Sequence, residues 1–176
     1  VKQAFVRSDP KAVLVVINFP GLSTAYSKPF AEDRELFRKI LEQTHAAATG
    51  KTSGEWKHVY VSSFSAGYGS VRELLKTPSY FEQIDGIIMA DSIYASLTPN
   101  ELKRAVDDEN MRDFARFASL AAENKKVFIL SHSAQPTPYA STTETADYLL
   151  NSLSMTRMLH TSISTDTLRQ TSRAQR

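Results

Sequence analysis

Four short apolar runs, separated by segments of helical pattern, constrain the fold of this chain more than any other feature of its sequence. The runs are Ala12–Ile17, His58–Ser63, Ile84–Ala90 and Lys126–Leu130. Apolar runs of this length are typical of strands buried on both faces, as in a parallel sheet. The sequence therefore predicts four such strands.

Several of the intervening segments carry explicit helix signals. Thr98 fits an N-cap, with Pro99 at the first helical position and Glu101 at the third. The segment Ser141–Glu144 fits a second capping box. Pro78 is expected to end the helix that follows the second run. Helices are predicted over 30–48, 66–75, 99–123 and 142–153.

The alternation of strand and helix, four times over, predicts an α/β fold with a mostly parallel sheet and right-handed crossovers. Helices are expected on both faces of the sheet. With 176 residues, the chain 1–176 is expected to form a single domain. Its 41% hydrophobic and 23% charged residues exclude disorder and coiled coil. The longest apolar run has strand length, so no membrane-spanning helix is expected.

Composition also removes several functional classes. A net charge of +2 gives no indication of a nucleic-acid partner. The absence of cysteine excludes disulfides, cysteine-based zinc sites and a cysteine nucleophile. The segments Thr49–Thr52 and Gly67–Gly69 lack the remaining positions of the phosphate-loop and dinucleotide motifs. Neither a cofactor nor a metal is therefore predicted.

The two ends of the chain predict that the parent sequence is longer. The chain begins at Val1 without Met and carries no signal-peptide pattern, which leaves cytoplasmic and secreted locations open. Residues 154–176 form a polar end with four arginines and one aspartate, and no further strand is predicted there. A solvated basic surface is the favoured interpretation of this end, with a polyanion contact as the alternative.

Polar side chains follow each of the four predicted strands. Ligands of an open parallel sheet bind beyond the carboxyl ends of its strands. Those ends lead into Asn18–Ser23, Ser63–Gly67, Asp91–Tyr94 and Ser131–Ser133. All four segments are expected to lie along one edge of the sheet, which is the predicted site.

The second of these segments is the most informative. Ser65 lies between a predicted buried strand and a predicted helix, and its neighbours Ser63, Ala66 and Gly67 are small. A nucleophile elbow needs this arrangement, because its tight turn excludes large flanking side chains and exposes the serine. The usual pattern is G-x-S-x-G, and here it reads S-F-S-A-G. The alternative is a serine in a purely structural strand-to-helix turn.

In these residues the chain resembles the α/β-hydrolase fold superfamily. The resemblance is carried by VYVSSFSAGYGSVRELL at 59–75, by VLVVINFPG at 13–21 and by IIMADSIY at 87–94. It covers about residues 11–135 and is specific at the elbow. It implies a three-layer sandwich, a Ser-His-acid triad and an oxyanion hole made of two backbone N–H groups.

The resemblance also implies roles for particular residues. Ser65 would be the nucleophile, and the N–H of Ala66 would be one oxyanion donor. The second donor would come from Gly21 or Leu22, because the proline before them has no N–H. Asp91, at the end of the third run, would be the acid of the triad. The alternative for Asp91 is a turn cap.

The base is left open by the sequence. His132 follows the fourth run at the predicted site and gives the superfamily's chain order of serine, acid and histidine. The superfamily's histidine usually follows one further strand, so His160 and a base outside this chain remain alternatives, as does the absence of a base. His45 and His58 are expected to be structural.

The expected function is therefore hydrolysis of an ester or amide through an acyl-enzyme. The substrate is expected to be a small or lipid-like ester or amide, with Phe19, Phe64 and Tyr94 lining an apolar pocket. Two alternatives remain: a non-catalytic domain of the same fold that binds a ligand, and a doubly wound domain that binds phosphate at Ser63–Gly67. The sequence does not fix the oligomeric state.

Overall fold

The computed structural model describes residues 2–7, 11–99, 104–161 and 170–175. The helices in these residues are α1 (Lys2–Arg7), α2 (Ser23–Glu32), α3 (Leu36–Thr49), α4 (Tyr68–Leu75), α5 (Pro78–Gln83), α6 (Asp108–Ala122) and α7 (Thr142–Ser152). The strands are β1 (Tyr60–Phe64), β2 (Gly86–Ala90), β3 (Val127–Ser131), β4 (Thr156–Thr161) and β5 (Gln170–Gln175).

Three of the four predicted strands form a parallel sheet in the order β1-β2-β3. The connections between them run through α4 with α5, and then through α6. This alternation confirms a mixed α/β fold. The positions of these three strands match the second, third and fourth apolar runs to within two residues.

One face of the sheet carries the hydrophobic core. Ile87 and Met89 of β2 are fully buried on this face. They join one cluster with Phe81 of α5 and with Phe114 and Phe117 of α6. Burying an aromatic or large aliphatic side chain stabilises the fold by about 1.5–3 kcal/mol, so this single cluster accounts for the association of helices and sheet.

The other face of the sheet is largely uncovered in the described part of the chain. Phe64 is 74% exposed and Ile129 is 53% exposed, and both point away from the core. Tyr60, on the same face, lies over Gly86, where an added Cβ would come within 2.7 Å of the tyrosine ring. Within the described residues, helices α2 to α7 all contribute side chains to the one core cluster, and a second helical layer on the open face is not seen among them.

The first apolar run, Ala12–Ile17, does not form the predicted strand. It has no regular secondary structure, and Leu14 and Val15, at its centre, are 37% and 43% exposed. β-branched residues favour strands because they pack well on a half-buried pleated surface, not through a strong backbone preference. The run has no such surface here, because no described strand pairs with it.

Two helix predictions also differ from the structure. The helix predicted over 30–48 is divided into α2 and α3 by Asp33, whose N–H bonds to the Pro29 carbonyl at 3.0 Å. Its carboxylate then accepts the Glu35 N–H at 3.0 Å. Helix α4 ends before Pro78, as predicted, but Pro78 also begins helix α5. Proline is tolerated there because the N–H of a residue in the first turn has no intrahelical acceptor.

The predicted helix start at Thr98 is wrong. Helix α6 begins at Asp108, nine residues after the predicted first helical position Pro99, and the Asp107 carboxylate accepts the backbone N–H of Asn110 at 2.9 Å. An aspartate N-cap satisfies the same unpaired donors that a threonine cap would. Glu101 lies outside the described residues. The capping box at Ser141–Glu144, by contrast, is confirmed with both of its hydrogen bonds.

The polar end also differs from expectation, because β4 and β5 pair there as an antiparallel ribbon.

Among the described helices none combines the length and the apolar composition that crossing a bilayer requires.

Helices α2 and α4 lie unusually close together. A Cβ added to Gly69 of α4 would stand 2.4 Å from the backbone oxygen of Ser23 in α2. The hydroxyl of Ser70 donates to the carbonyl of Tyr26 at 2.9 Å. This contact holds the start of α2, and the loop before it, against the first turn of α4.

Candidate functional site

One candidate residue follows each strand of the parallel sheet, immediately after the last paired row. Ser65 follows β1, Asp91 follows β2 and His132 follows β3. Neighbouring strands lie about 4.8 Å apart, so these residues begin from adjacent positions at one edge of the sheet. Asp91 occupies the middle position.

The backbone of Ser65 is in a sparsely populated conformation. Its φ is +49°, in the left-handed region that non-glycine residues rarely adopt. Such a conformation costs about 1–3 kcal/mol and persists only where the surrounding structure enforces it. The Ser65 hydroxyl forms no hydrogen bond with the described residues. A strained turn therefore presents an unengaged hydroxyl at the sheet edge.

The turn leads directly into helix α4. Residues Ser65–Gly67 form a 3-10 turn whose carbonyls begin the helical hydrogen bonds. The first N–H groups of a helix have no intrahelical acceptor, and the helix dipole makes them favourable neighbours of negative charge. The N–H of Ala66 is among them.

The small residues on both sides of Ser65 have a steric reason. A Cβ added to Gly67 would stand 3.1 Å from the Cβ of Ser63. Only one of the two positions can therefore carry a side chain without displacement. Serine occupies the first position and glycine the second, so a side chain at Ser63 is compatible with the turn while Gly67 stays glycine.

The hydroxyl of Ser63 is buried and paired with that of Ser92, at 2.7 Å. Ser92 is fully buried and donates to the carbonyl oxygen of Ser65 at 2.9 Å. The sequence alone indicated no role for Ser92. Its position after Asp91 was the available signal, but nothing local indicated its partner 27 residues away.

The segment that contains Gly21 and Leu22 ends against the first turn of α4. Gly21 has a φ of +134°, and a Cβ there would stand 2.9 Å from the Cβ of Ala25. The Leu22 carbonyl accepts the N–H of Ala25 at 2.9 Å, and the Leu22 side chain is 80% exposed. Both predicted second donors therefore precede α2 directly, on the side where it contacts the turn after β1.

Asp91 also has a left-handed backbone, with a φ of +44°. Its Oδ1 accepts the hydroxyl of Thr142 at 2.6 Å and the N–H of Ser133 at 2.8 Å. Burial raises the pKa of the Asp91 carboxyl, but the hydrogen bonds from Thr142 and Ser133 outweigh it. The net pKa lies below its ordinary value, so Asp91 is an anion at neutral pH.

His132 has both ring nitrogens engaged. The Thr143 hydroxyl donates its single proton to the Ser133 carbonyl at 2.7 Å, so it can only accept from Nδ1 of His132, at 3.1 Å. Nε2 then accepts from the guanidinium of Arg157 at 2.5 Å. Arg157 also donates to Asp147, at 2.6 and 2.9 Å. These contacts fit the neutral imidazole with its proton on Nδ1.

The structure thus brings Ser65, Asp91 and His132 to one edge but does not join them by hydrogen bonds. The side chain of His160 lies outside the described residues. His45 packs edge-on against Trp56, and Nδ1 of His58 lies 3.5 Å from the Asp85 carboxylate. Both of these contacts are remote from the strand ends of the candidate site.

The three predicted pocket residues are separated. Phe64 lies on the open face of the sheet, and Phe19 packs against aromatic rings of α2. Tyr94 stands between the rings of Tyr68 and Tyr139, with centroids 5.5 and 5.4 Å away. Burial and the charge of Asp91 raise the pKa of the Tyr94 phenol. The tyrosines, not the phenylalanines, form the aromatic wall beside the strand ends.

Arg72 completes this aromatic group and was not indicated by the sequence. Its guanidinium lies 4.9 Å from the centroid of the Tyr68 ring and donates to the Tyr94 carbonyl. Its Nε is buried and has no partner among the described residues. Burial lowers the pKa of this guanidinium. Arg72 therefore fixes the segment after Asp91 to helix α4.

The loop after β3 is fixed by a second arginine. Arg104 donates to both carboxylate oxygens of Glu144, at 2.5 and 3.1 Å, and to the carbonyls of Thr137 and Tyr139. The hydrogen bond from Arg104 is the main cause of the pKa of Glu144 falling to about 2. Donation from Ser141 lowers this pKa further, and burial opposes both.

Acidification is expected to remove about 1 kcal/mol of stability through Glu144. Its folded pKa is about 2 against an ordinary 4.5, so its contribution is complete above pH 4.5 and is lost as the pH falls through 2. The side chains of Arg104 and Glu144 are 46% and 30% exposed, and solvent screening keeps the effect near 1 kcal/mol.

Urea unfolding near pH 5 and near pH 2.5 measures this effect. In Glu144→Gln the amide oxygen still accepts from Ser141, but the charge is gone, so the difference between the two pH values should shrink. An equal pH dependence in both proteins would show that Glu144 is not responsible.

Among the described residues no group of three or more histidine, aspartate or glutamate side chains is arranged to hold a metal ion. No family model, curated protein or solved structure matches this chain.

Proposed function

We propose that this chain is a serine hydrolase of the α/β-hydrolase type, which cleaves an ester or amide through an acyl-enzyme on Ser65. The observation that carries the proposal is the left-handed backbone of Ser65, with φ at +49°, between a parallel strand and a helix. A serine in this conformation and place is the defining feature of a nucleophile elbow. The three-layer sandwich of that superfamily is part of the proposal.

In the proposed reaction, the Ser65 oxygen attacks the substrate's carbonyl carbon while its proton passes to a base. The oxyanion that forms accepts hydrogen bonds from the N–H of Ala66 and from that of Gly21 or Leu22. The base then protonates the leaving alcohol or amine as the carbonyl re-forms. In the second half of the reaction the base takes a proton from water, which attacks the acyl carbon, and then returns that proton to the Ser65 oxygen as the acid leaves.

We assign the base to His132. Its hydrogen bonds fit a neutral ring with the proton on Nδ1 and a lone pair on Nε2, which is the form a general base needs. The step requires Nε2 to leave Arg157 and the ring to turn towards Ser65. Asp91, anionic and one strand nearer to Ser65, would then accept the Nδ1 proton's hydrogen bond.

The test is labelling of the folded protein with a fluorophosphonate, which forms a covalent bond with an activated serine. Wild type should gain one probe mass on the peptide that contains Ser65, and Ser65→Ala should gain none. Ser152→Ala is a matched control, because this hydroxyl lies at the end of α7 and donates to the Leu149 carbonyl. Labelling of Ser65→Ala at the wild-type rate would remove the proposal.

A second candidate function, ligand binding without catalysis, is favoured by one observation. Both nitrogens of His132 and one oxygen of Asp91 already have partners other than Ser65. A folded wild-type protein that takes no label, at pH values from about 6 to 9, would favour this function.

A further inference from the structure

We propose that Ser92 is a positioning residue, which aims the Ala66 N–H into the site by holding the carbonyl of Ser65. This inference rests on the proposed function for its effect on reactivity. The claim that Ser92 helps to hold Ser65 in its left-handed conformation rests only on the hydrogen bond between these residues.

The first step is the direction of the hydrogen bonds. The Ser92 hydroxyl has one proton and donates it to the Ser65 carbonyl oxygen at 2.9 Å. The oxygen of Ser92 is therefore an acceptor for the hydroxyl of Ser63, 2.7 Å away, which is a better partner for that hydroxyl than the weakly accepting thioether of Met89 at 3.4 Å. The chain of donors runs from Ser63 to Ser92 to the Ser65 carbonyl. Ser92 is fully buried, so no solvent competes for these bonds.

The second step is the rigidity of the peptide unit. The carbonyl of Ser65 and the N–H of Ala66 belong to one planar trans peptide and point in opposite directions. A carbonyl held by a buried hydroxyl beneath the turn therefore directs the N–H outward. Ala66 is the first predicted oxyanion donor, and the Ser65 carbonyl that sets its direction accepts from the buried Ser92 hydroxyl and, within the turn, from the N–H of Tyr68.

The third step is the strain at Ser65. A residue with φ at +49° returns to an ordinary conformation unless its neighbours prevent this. The peptide on the C-terminal side of Ser65 is held by Ser92, from the adjacent strand's end. Loss of this bond removes one of the constraints that keep Ser65 in its left-handed conformation.

The first experiment compares Ser92→Ala with Thr145→Val in fluorophosphonate labelling. Thr145 is a matched control, because it is also fully buried and donates to a backbone carbonyl, that of Ile93, at 2.9 Å. We expect at least a tenfold lower labelling rate in Ser92→Ala, since small misplacement of a catalytic group has large effects. Thr145→Val should label within twofold of wild type. Equal rates in the two variants would overturn the proposal.

The second experiment does not depend on activity. Ser65→Gly should raise the melting temperature of wild type by about 3 °C, because glycine adopts a left-handed backbone without strain. In the Ser92→Ala background the gain should fall by at least half, since the turn is then free to relax. A full gain in both backgrounds would overturn the positioning role. If wild type takes no label, the proposed function fails and this second comparison alone decides the role of Ser92.

Discussion

Replacing Gly69 by valine is expected to lower the free energy of unfolding by about 3 kcal/mol. A Cβ at Gly69 would stand 2.4 Å from the Ser23 carbonyl oxygen and 3.2 Å from the Ser27 nitrogen. Both are backbone atoms of α2, so the helix itself must move. Inserting atoms into a packed contact costs about 1–3 kcal/mol, and valine's two further methyl groups place the effect at the upper end.

The smaller substitution Gly69→Ala tests the same contact through the sign of the change in the free energy of unfolding. Alanine is favoured over glycine inside a helix by about 1 kcal/mol, so it would stabilise α4 if the site had room. We expect Gly69→Ala to be destabilising, and less so than Gly69→Val. Urea unfolding measures both, and a stabilised Gly69→Ala would show that α2 and α4 are not in close contact.

The substitution Gly69→Val should also slow fluorophosphonate labelling. Helix α2 begins directly after Gly21 and Leu22, which carry the proposed second oxyanion donor. Displacing α2 from α4 moves this segment away from the turn at Ser65. Ser70→Ala is a suitable control, because it loses only one hydrogen bond between the helices, to Tyr26, and should cost about 1 kcal/mol.

Local patterns in the sequence were enough to find the strands that form the sheet and the residues that follow them. Strand length, β-branched residues and the small residues around Ser65 are all properties of neighbouring positions. The capping box at Ser141–Glu144 is local in the same sense, and it is confirmed. Because parallel strands share one carboxyl edge, these local signals also predicted Ser65, Asp91 and His132 at one edge of the sheet, whereas the strand order that makes their positions adjacent is seen only in the structure.

The sequence did not predict contacts between distant segments. The direction of the His132 ring is set by Arg157, which lies 25 positions further along the chain. The Ser65 carbonyl is held by Ser92, 27 positions away. The run Ala12–Ile17 failed as a strand for the same reason, since a strand is defined by the edge it pairs with. Apolar composition alone does not supply that edge.

The second large effect concerns the proposed base, and His132→Ala is expected to slow labelling by about 10²–10⁴-fold. That range is typical for the loss of a general base, because a serine hydroxyl is a weak nucleophile without one. Arg157→Ala should act in the opposite direction. It removes the guanidinium that now occupies Nε2 of His132, at 2.5 Å.

The size of the Arg157 effect follows from the bond that is lost. A hydrogen bond from a charged donor contributes about 1.5–3 kcal/mol, and the lower value applies because Arg157 is exposed. About 1.4 kcal/mol corresponds to a tenfold change in population, so labelling should accelerate about tenfold. Arg112→Ala is the matched control, since this arginine pairs with Glu109 on the surface of α6, away from the site.

Strand order makes this pair of variants decisive. Asp91 lies on the strand between those of Ser65 and His132, whereas proton transfer needs the imidazole between the hydroxyl and the carboxylate. His132 can meet this need only by turning over Asp91 towards Ser65, and the contacts with Arg157 and Thr143 oppose the turn. Faster labelling in Arg157→Ala, abolished again in the double variant with His132→Ala, would establish His132 as the base. Labelling that neither substitution alters would show that proton transfer from Ser65 uses another group.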